Sequence, residues 1–171
     1  MKVKELMIRD VRTCFAEDDL NRAAQIMWES DCGVVPVVDA AGIVKGMITD
    51  RDICMAAYTK GRPLGAIHVR NAMAKDISSC SPEDTLESAL SMMKKVRVRR
   101  LPVTERNGRL IGILSMNDLA RETWREIEAG DRNAITADLA GTLSAICERR
   151  TAAGAARKEV KSSSALVSAG A

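Results

Sequence analysis

The sequence has few aromatic residues and a single histidine. Among 171 residues there are two Trp, one Tyr, one Phe and His68. His68 has no carboxylate at a triad-like spacing, so we interpret it as structural or exposed rather than catalytic. With so few rings, stacking on aromatic side chains cannot be the main means of holding a ligand.

Long apolar runs are also missing. No stretch approaches the roughly 18 consecutive apolar residues of a membrane span, and the first residues lack the apolar core of a secretory signal. We therefore expect a cytoplasmic protein without a membrane partner. The sequence has no glycine-rich phosphate loop, metal-ligand set or activated nucleophile, so we do not expect an enzyme.

Cysteines are present but do not form a recognisable framework. There are five, an odd number, and none belongs to a Cys-x-x-Cys motif. This pattern argues against both a disulfide scaffold and a zinc site.

The net charge of +3 comes from the end of the chain. Residues 148–171 include five basic and two acidic side chains, whereas residues 1–147 carry equal numbers of each sign. A neutral body gives no support to a nucleic-acid-binding face, so we do not expect such a partner. The basic tail could contact nucleic acid or an acidic protein, but a solvated tail is favoured because no aromatic residues are interleaved.

One stretch of the sequence occurs twice, at an offset of 66 residues. In residues 34–52 the run Val-Val-Pro-Val-Val is followed by a glycine turn, a second apolar run and Thr-Asp-Arg-Asp. Residues 100–118 repeat this order and end in Ser-Met-Asn-Asp. The alignment needs no gap and extends upstream to Met7 and Met73. We infer a tandem duplication of one supersecondary unit.

Each copy is predicted to fold as strand, helix, strand, strand, helix. β-branched runs around a glycine turn indicate a hairpin, and apolar residues at helical spacing indicate the helices. Ser81 is predicted to cap a helix that has Pro82 at its first position. Outside the hairpins, the predicted strands are 11–15 and 77–80, and the predicted helices are 19–29, 50–58, 82–95, 116–128 and an additional one at 135–146.

We therefore expect an α/β (α+β) fold built from two tandem β-α-β-β-α repeats. A chain of 171 residues is long enough for two small repeats that share a core. The predicted segments are the first repeat with its linker (1–66), the second repeat (67–129), an extra C-terminal helix (130–150) and a mobile basic tail rich in Ser and Ala (151–171).

The duplicated motifs resemble a tandem pair of CBS domains, the Bateman module. The resemblance covers about residues 3–122, and the length and layout are similar to small stand-alone bacterial CBS-pair proteins of the hypoxic-response type. It implies two sheets packed about a pseudo-twofold axis, with two clefts that can hold adenosine nucleotides. It also implies a regulatory ligand such as AMP, ADP or ATP rather than an obligatory cofactor.

The resemblance assigns the core of each binding cleft to a hydroxyl and a carboxylate. Thr49 and Ser115 match the hydroxyl that meets a phosphate, and Asp52 and Asp118 match the carboxylate that accepts from the ribose. A hydroxyl at a helix N-terminus lies beside unpaired backbone N–H groups, which favour an anion. The alternative is that each Ser/Thr-x-x-Asp is an ordinary helix cap that needs no ligand.

Further positions are carried over from the family pattern. Residues expected to surround the adenine are Thr13, Val34, Val35 and Pro36 in the first repeat, and Ser79, Leu101 and Pro102 in the second. Arg99 and Arg100 match a basic pair that often reaches phosphate. We therefore expect the Ser115/Asp118 cleft to favour the more highly charged ligand. The alternative is that these arginines form a solvated edge.

Cys14 and Cys80 occupy equivalent positions at the ends of the first predicted strand of each repeat. A redox role is conceivable, but a small buried hydrophobe is the favoured interpretation.

Two functions remain open after enzyme activity is set aside. The first is an energy or cofactor sensor in which an adenosine nucleotide changes how the two repeats pack. The second is a ligand-free interaction or dimerisation module. The resemblance implies a homodimer through helices 50–58 and 116–128, with the extra helix wrapping the partner subunit or docking an unidentified client protein.

Overall fold

The computed structural model describes residues 1–130 and 135–147. The predicted tail lies outside the described residues. The expected mixture of helices and strands in two repeats is confirmed. In chain order the elements are α1 (Val3–Leu6), β1 (Cys14–Phe15), α2 (Leu20–Glu29), β2 (Val34–Val38), β3 (Val44–Thr49), α3 (Asp50–Lys60), two short 3₁₀ turns (Leu64–Ala66 and Val69–Asn71), α4 (Leu86–Val96), β4 (Arg100–Thr104), β5 (Leu110–Ser115), α5 (Met116–Glu128) and α6 (Ile135–Cys147).

The first repeat forms a three-stranded sheet in the order β1-β2-β3, with α2 and α3 on one face. β1 runs parallel to β2, and β2 and β3 form the predicted antiparallel hairpin. Val35, Val37 and Ile48 are fully buried and form a core with helix residues such as Leu20 and Ile53. This core forms because alternate residues of each strand meet the apolar stripe of each helix.

The second repeat has the same plan, with β4 and β5 as its hairpin and α4 and α5 as its helices. Its first strand is shorter than predicted, since only Cys80 bridges β4. In the first repeat the strand is likewise Cys14–Phe15 rather than 11–15. The next rung of each parallel ladder would need a backbone N–H from Pro36 or Pro102, and proline has none.

Helix α4 begins later than predicted. Its N-cap is Thr85, whose hydroxyl accepts from the N–H of Ser88 at 3.2 Å. The predicted Ser81 cap and Pro82 start are therefore wrong. The N–H of Lys4 instead donates to the carbonyl of Pro82 at 3.0 Å. The N-terminal segment thus holds the turn before α4 outside the helix.

The lead-in segments, which open each repeat ahead of its first strand, are exchanged between the cores. Val3 and Met7 open the first repeat but are buried in the core of the second. Ile67 and Val69 open the second repeat but are buried in the core of the first. A division of the chain after residue 66 therefore separates the repeats in sequence but not in space.

Reciprocal backbone hydrogen bonds relate the repeats by a pseudo-twofold axis. Met47 and Ala74 exchange two N–H to carbonyl bonds, at 3.0 and 2.9 Å. Ile113 and Ile8 occupy the equivalent positions 66 residues away and exchange two bonds of 2.9 Å. Each hairpin is therefore extended by the lead-in segment of the other repeat.

Helix α6 covers the outer face of the second repeat. Its residues Ile135, Leu139 and Thr142 are buried, and it packs against α4 and α5 of its own chain. The predicted extra helix thus extends one of the two cores. None of the helices within residues 1–130 and 135–147 has the length and apolar character needed to cross a membrane.

Candidate functional site

The candidate site lies on the sheet faces that point away from the helices. Val34 and Thr49 are directly opposite each other in the first hairpin, and Arg100 and Ser115 are opposite in the second. Because the next residue, Val35, points into the helix-facing core, strand alternation places Val34 and Thr49 on the other face. The structure therefore brings together the hydroxyl and the first strand residue predicted for each cleft.

In the first repeat, Thr49 and Asp52 form a closed capping box at the start of α3. The hydroxyl and the backbone N–H of Thr49 both donate to Oδ2 of Asp52, at 2.7 and 3.0 Å. The N–H of Asp52 donates in return to Oγ1 of Thr49 at 3.2 Å. The other carboxylate oxygen, Oδ1 of Asp52, has no hydrogen-bond partner among the described residues, and Asp52 is partly exposed.

In the second repeat, Ser115 and Asp118 form the same box at the start of α5. The hydroxyl and N–H of Ser115 donate to Oδ2 of Asp118 at 2.6 and 3.0 Å. Here, however, Arg121 forms an ion pair with Oδ1 of Asp118. Asp118 is 4% exposed. Both carboxylate oxygens of the second site are therefore engaged within α5 and its cap.

The apolar residues predicted to surround the adenine fall on both faces of the sheets. Val35 and Leu101 have no exposed surface and belong to the two helix-facing cores. Val34, Pro36 and Pro102 are buried on the opposite faces. Only this second group shares a face with the capping boxes, so only these side chains can contact a ligand there without a change in the strands.

The two arginines predicted to reach phosphate differ in position. Arg99 is exposed beside β4. Arg100 is partly buried and points toward the first repeat, since a Cβ atom added to Gly33 would lie 3.8 Å from its Nη2. Neither side chain has a hydrogen bond or ion pair in the described part of the chain. Arg100 therefore lies between the repeats, whereas Arg99 fits the alternative of a solvated edge.

A small cavity of about 220 Å³ lies between the repeats at Thr13. It is smaller than the roughly 300–1,000 Å³ of typical ligand pockets, so a nucleotide would extend beyond it. Arg9 and Arg109 contribute its basic groups, and the equivalent positions in the other cleft are Lys75 and Ile43. The cavity is lined by Arg9, Val11, Thr13, Val38, Gly42, Arg109, Leu110 and Gly112.

This concentration of basic charge at the Thr13 cleft was not predicted. Arg109 follows the hairpin turn of the second repeat, and only the packing of the two repeats brings it to the first. Ser79, the counterpart of Thr13, accepts a hydrogen bond from the hydroxyl of Thr104 at 3.2 Å. The two clefts are therefore not equivalent, despite their shared plan.

A larger groove of about 650 Å³ lies between α2 and α3, on the outer face of the first repeat. Sequence reasoning did not identify it. On the second repeat α6 covers the equivalent surface, where Lys94 replaces Trp28 and lies against Gly141 of α6. The groove is lined by Ala24, Met27, Trp28, Asp31, Cys32, Gly33, Asp50, Ile53, Cys54, Ala57 and Leu64.

The other residues with possible chemistry are placed away from these surfaces. Burial raises the pKa of the Cys14 thiol to about 12 and that of Cys80 to about 11. His68 is exposed, with Nδ1 2.9 Å from the carbonyl oxygen of Glu17. No group of three or more potential metal ligands occurs among residues 1–130 and 135–147.

Comparison with known proteins gives two matches to the CBS-domain family model, at residues 3–58 and 61–125. The CBS domain-containing protein YhcV of Bacillus subtilis (strain 168) is 35% identical over 128 residues, which is 75% of this chain and 89% of that protein. The family resemblance seen in the repeated motifs is therefore confirmed, and the similarity extends over most of a relative of comparable size.

Solved structures of CBS proteins have the same fold. Hypoxic response protein I, solved with two coordinated zinc ions, has a TM-score of 0.65 and 28% identity, over 71% of this chain and 98% of that one. The CBS domain pair of protein MJ0100 was solved with 5′-methylthioadenosine and S-adenosyl-L-methionine. It has a TM-score of 0.68 and 21% identity, over 74% of this chain and 98% of that one.

Proposed function

Because the chain belongs to the CBS-domain family, with two such domains in tandem, we propose that it is a regulatory module that binds an adenosine compound between its repeats. In this proposal AMP, ADP or ATP is the ligand, and the protein acts as a cytoplasmic energy or cofactor sensor. Binding changes how the repeats pack and so changes which surfaces the protein presents. No chemical step is part of the proposal.

The duplicated capping box supports this proposal. In the first repeat one oxygen of Asp52 is already held by Thr49, and the second oxygen is partly exposed and without a partner among the described residues. A fixed carboxylate oxygen can accept a hydrogen bond from a ribose hydroxyl without first losing a protein partner. Arg100, whose guanidinium lies near Gly33 and the start of α3, supplies positive charge for phosphate.

The proposal is tested by titrating the protein with AMP, ADP, ATP and S-adenosylmethionine in a calorimeter. We expect at least one of them to bind and to raise the melting temperature by mass action. In the double variant Asp52→Asn, Asp118→Asn, binding should weaken at least tenfold, because the amide loses the negative charge that strengthens the ribose hydrogen bonds.

Asp138→Asn provides the matched control, because it removes the same charge from an exposed position in the first turn of α6, which packs on the outer face of the second repeat. It should leave ligand affinity unchanged. If none of the four compounds binds, or if the double variant binds them as the parent does, the proposal is contradicted.

A second candidate function, self-association, is favoured by the groove between α2 and α3. Trp28 and Tyr58 on these helices are 85% and 81% exposed, whereas the equivalent face of the second repeat is covered by α6. Among residues 1–130 and 135–147, this surface is therefore buried by a helix in the second repeat and uncovered in the first. A second copy of the chain, placing its own α2–α3 face here, would cover both grooves in a twofold dimer.

The dimer is tested by analytical ultracentrifugation across a concentration series. We expect a dimer for the parent protein and a shift to monomer for Trp28→Glu, because a carboxylate would be buried without a partner at the interface. Phe15→Glu changes an exposed aromatic residue of β1, outside the groove and outside the helices expected to form the dimer, and should leave the dimer intact. A monomeric parent protein, or equal effects of the two variants, would contradict the dimer.

A further inference from the structure

The two capping boxes differ at one position that touches the carboxylate. On α5, Arg121 lies one turn after Asp118 and forms an ion pair with its Oδ1. On α3, the residue at the equivalent position is Met55, which cannot form such a pair. The boxes are otherwise the same in partners and within 0.1 Å in each hydrogen-bond length, for example 2.7 and 2.6 Å for the hydroxyl bonds of Thr49 and Ser115.

Arg121 changes what the second carboxylate can offer to a ligand. Oδ2 of Asp118 accepts two hydrogen bonds from Ser115, and Oδ1 is paired with the guanidinium. A ribose that used this carboxylate would have to displace a charged donor. In the first repeat, Oδ1 of Asp52 has no partner among the described residues, so no donor has to leave.

The burial of the two carboxylates increases this difference. Asp118 is 4% exposed, whereas Asp52 is partly exposed. A carboxylate that is almost completely buried gains more from a charged partner than an exposed one, because water competes less for it. The Arg121 side chain is itself 69% exposed, so this pair contributes less than a fully buried one, but it still has to be broken before a ribose can use Oδ1 of Asp118.

One guanidinium lies near the start of α3 as well. A Cβ atom added to Gly33 would lie 3.0 Å from Oδ2 of Asp50 and 3.8 Å from Nη2 of Arg100, so Arg100 of the second repeat comes close to the residue that follows Thr49. The first capping box thus has an available carboxylate oxygen with a guanidinium nearby, whereas the carboxylate of the second box is engaged by Arg121. This order is the reverse of the one that the Arg99-Arg100 pair suggests from sequence.

We propose that Arg121 is a specificity-determining residue that occupies the ligand-facing oxygen of Asp118 and makes the Thr49/Asp52 cleft the high-affinity site. The proposal rests on the proposed function, since it assigns an order of filling to the same two clefts. The second cleft then fills only at higher ligand concentration, when the ligand displaces Arg121. One chain would therefore respond to two concentration ranges of one ligand.

The test exchanges the two residues between the repeats and measures AMP binding to the full chain by calorimetry. For the parent protein we expect two sites that differ in dissociation constant by about tenfold, which corresponds to about 1.4 kcal/mol. Arg121→Met should tighten the weaker site about tenfold. Met55→Arg should weaken the tighter site by a similar factor, because the new guanidinium has the same i,i+3 spacing to Asp52.

Two further variants assign the sites and control for charge. Asp52→Asn should remove the tighter site of the parent protein and leave the weaker one. Arg125→Met removes a guanidinium from the same helix, where it pairs with Glu122 at 3.3 Å, and should leave both sites unchanged. Thermal melts of each variant confirm that it is folded.

The possible results separate this inference from the proposed function. If the parent protein binds none of AMP, ADP, ATP and S-adenosylmethionine, both fail. If it binds but Arg121→Met leaves both affinities unchanged, only the role of Arg121 is overturned. If Arg121→Met weakens binding, Arg121 contacts the ligand directly, and its role as a competitor for Asp118 is wrong.

Discussion

Cys14 and Cys80 show how burial decides the chemistry of a single residue. They occupy equivalent positions in the repeats but lie in two separate cores, each 2% exposed. Loss of hydration raises the pKa of both thiols far above neutral pH, so they remain protonated. Because the thiolate is the reactive form, both act as small hydrophobic residues, which agrees with the favoured interpretation from sequence.

Two glycines at equivalent positions allow the repeats to approach each other. A Cβ atom on Gly112 would lie 2.8 Å from the sulfur of Met7 and 2.9 Å from the carbonyl oxygen of Ile8. Gly46 has the corresponding contacts with Met73 and with the backbone of the other lead-in segment. A backbone atom cannot move aside as a flexible side chain can, so these positions exclude any larger residue.

We therefore expect Gly112→Ala to lower the free energy of unfolding by about 1–3 kcal/mol. Urea denaturation followed by circular dichroism provides the measurement. Gly141→Ala is the control, because the new methyl group in α6 would meet only the end of the Lys94 side chain at 3.8 Å. It should raise the free energy of unfolding by about 0.5–1 kcal/mol, since Ala is the better helix former. Equal effects of the two substitutions would contradict the tight contact.

At the scale of single elements, helix starts are decided by competition for the backbone. Ser81 and Pro82 provide a good cap and first residue in isolation, yet α4 begins at Leu86. The carbonyl of Pro82 accepts from Lys4, and the N–H of Ser81 donates to the carboxylate of Asp84 at 2.8 Å. The hydrogen bond from Lys4, which is distant in sequence, therefore keeps this turn non-helical, and Thr85, the next residue with a hydroxyl, caps α4.

Because Thr85 and not Ser81 caps α4, replacing each of them with Ala should lower the free energy of unfolding by different amounts. Thr85→Ala should lower the free energy of unfolding by about 1 kcal/mol, because the N–H of Ser88 loses its acceptor. Ser81→Ala should cost less than about 0.5 kcal/mol, since Ser81 is exposed and lies outside the helix. Thermal melts of both variants at one pH provide the comparison. A larger loss of stability for Ser81→Ala than for Thr85→Ala would indicate that α4 begins after Ser81, as the sequence predicts.

At the scale of the whole molecule, α6 breaks the symmetry between the repeats. It covers the outer face of the second repeat, where residues such as Leu90 and Met93 are buried. The same surface of the first repeat forms a groove of about 650 Å³ beside the exposed Trp28. Two units with one fold therefore present different surfaces to a partner.

The stability of the second repeat should depend on this cover. Leu139 is 9% exposed in the core, and Leu139→Ala should lower the free energy of unfolding by about 2–3 kcal/mol. Leu143 lies on the same helix but is 40% exposed, so Leu143→Ala should change the free energy of unfolding by about 0.5 kcal/mol or less. Urea denaturation measures both. If the two variants lose equal stability, α6 is not packed as described.

The repeats, the hairpins and the capping boxes were predictable because each depends on residues close together in sequence. The alternation in residues 34–38 predicts a strand, and the Thr49-x-x-Asp52 spacing predicts a cap. The strand at 11–15 was predicted too long, because the hydrogen bond that would extend it needs an N–H that Pro36 lacks. That pairing is parallel and distant in sequence, so local pattern alone could not show it.

By itself, the sequence determined the duplicated fold, the family and the positions of the two hydroxyl–carboxylate pairs, because hydrophobic periodicity and turn chemistry act over a few residues. Tertiary structure decided which lead-in segment completes which core, where Arg109 lies and which outer face α6 covers. These features depend on contacts between residues that are far apart along the chain. Packing and the pseudo-twofold arrangement select such contacts, and no local pattern encodes them.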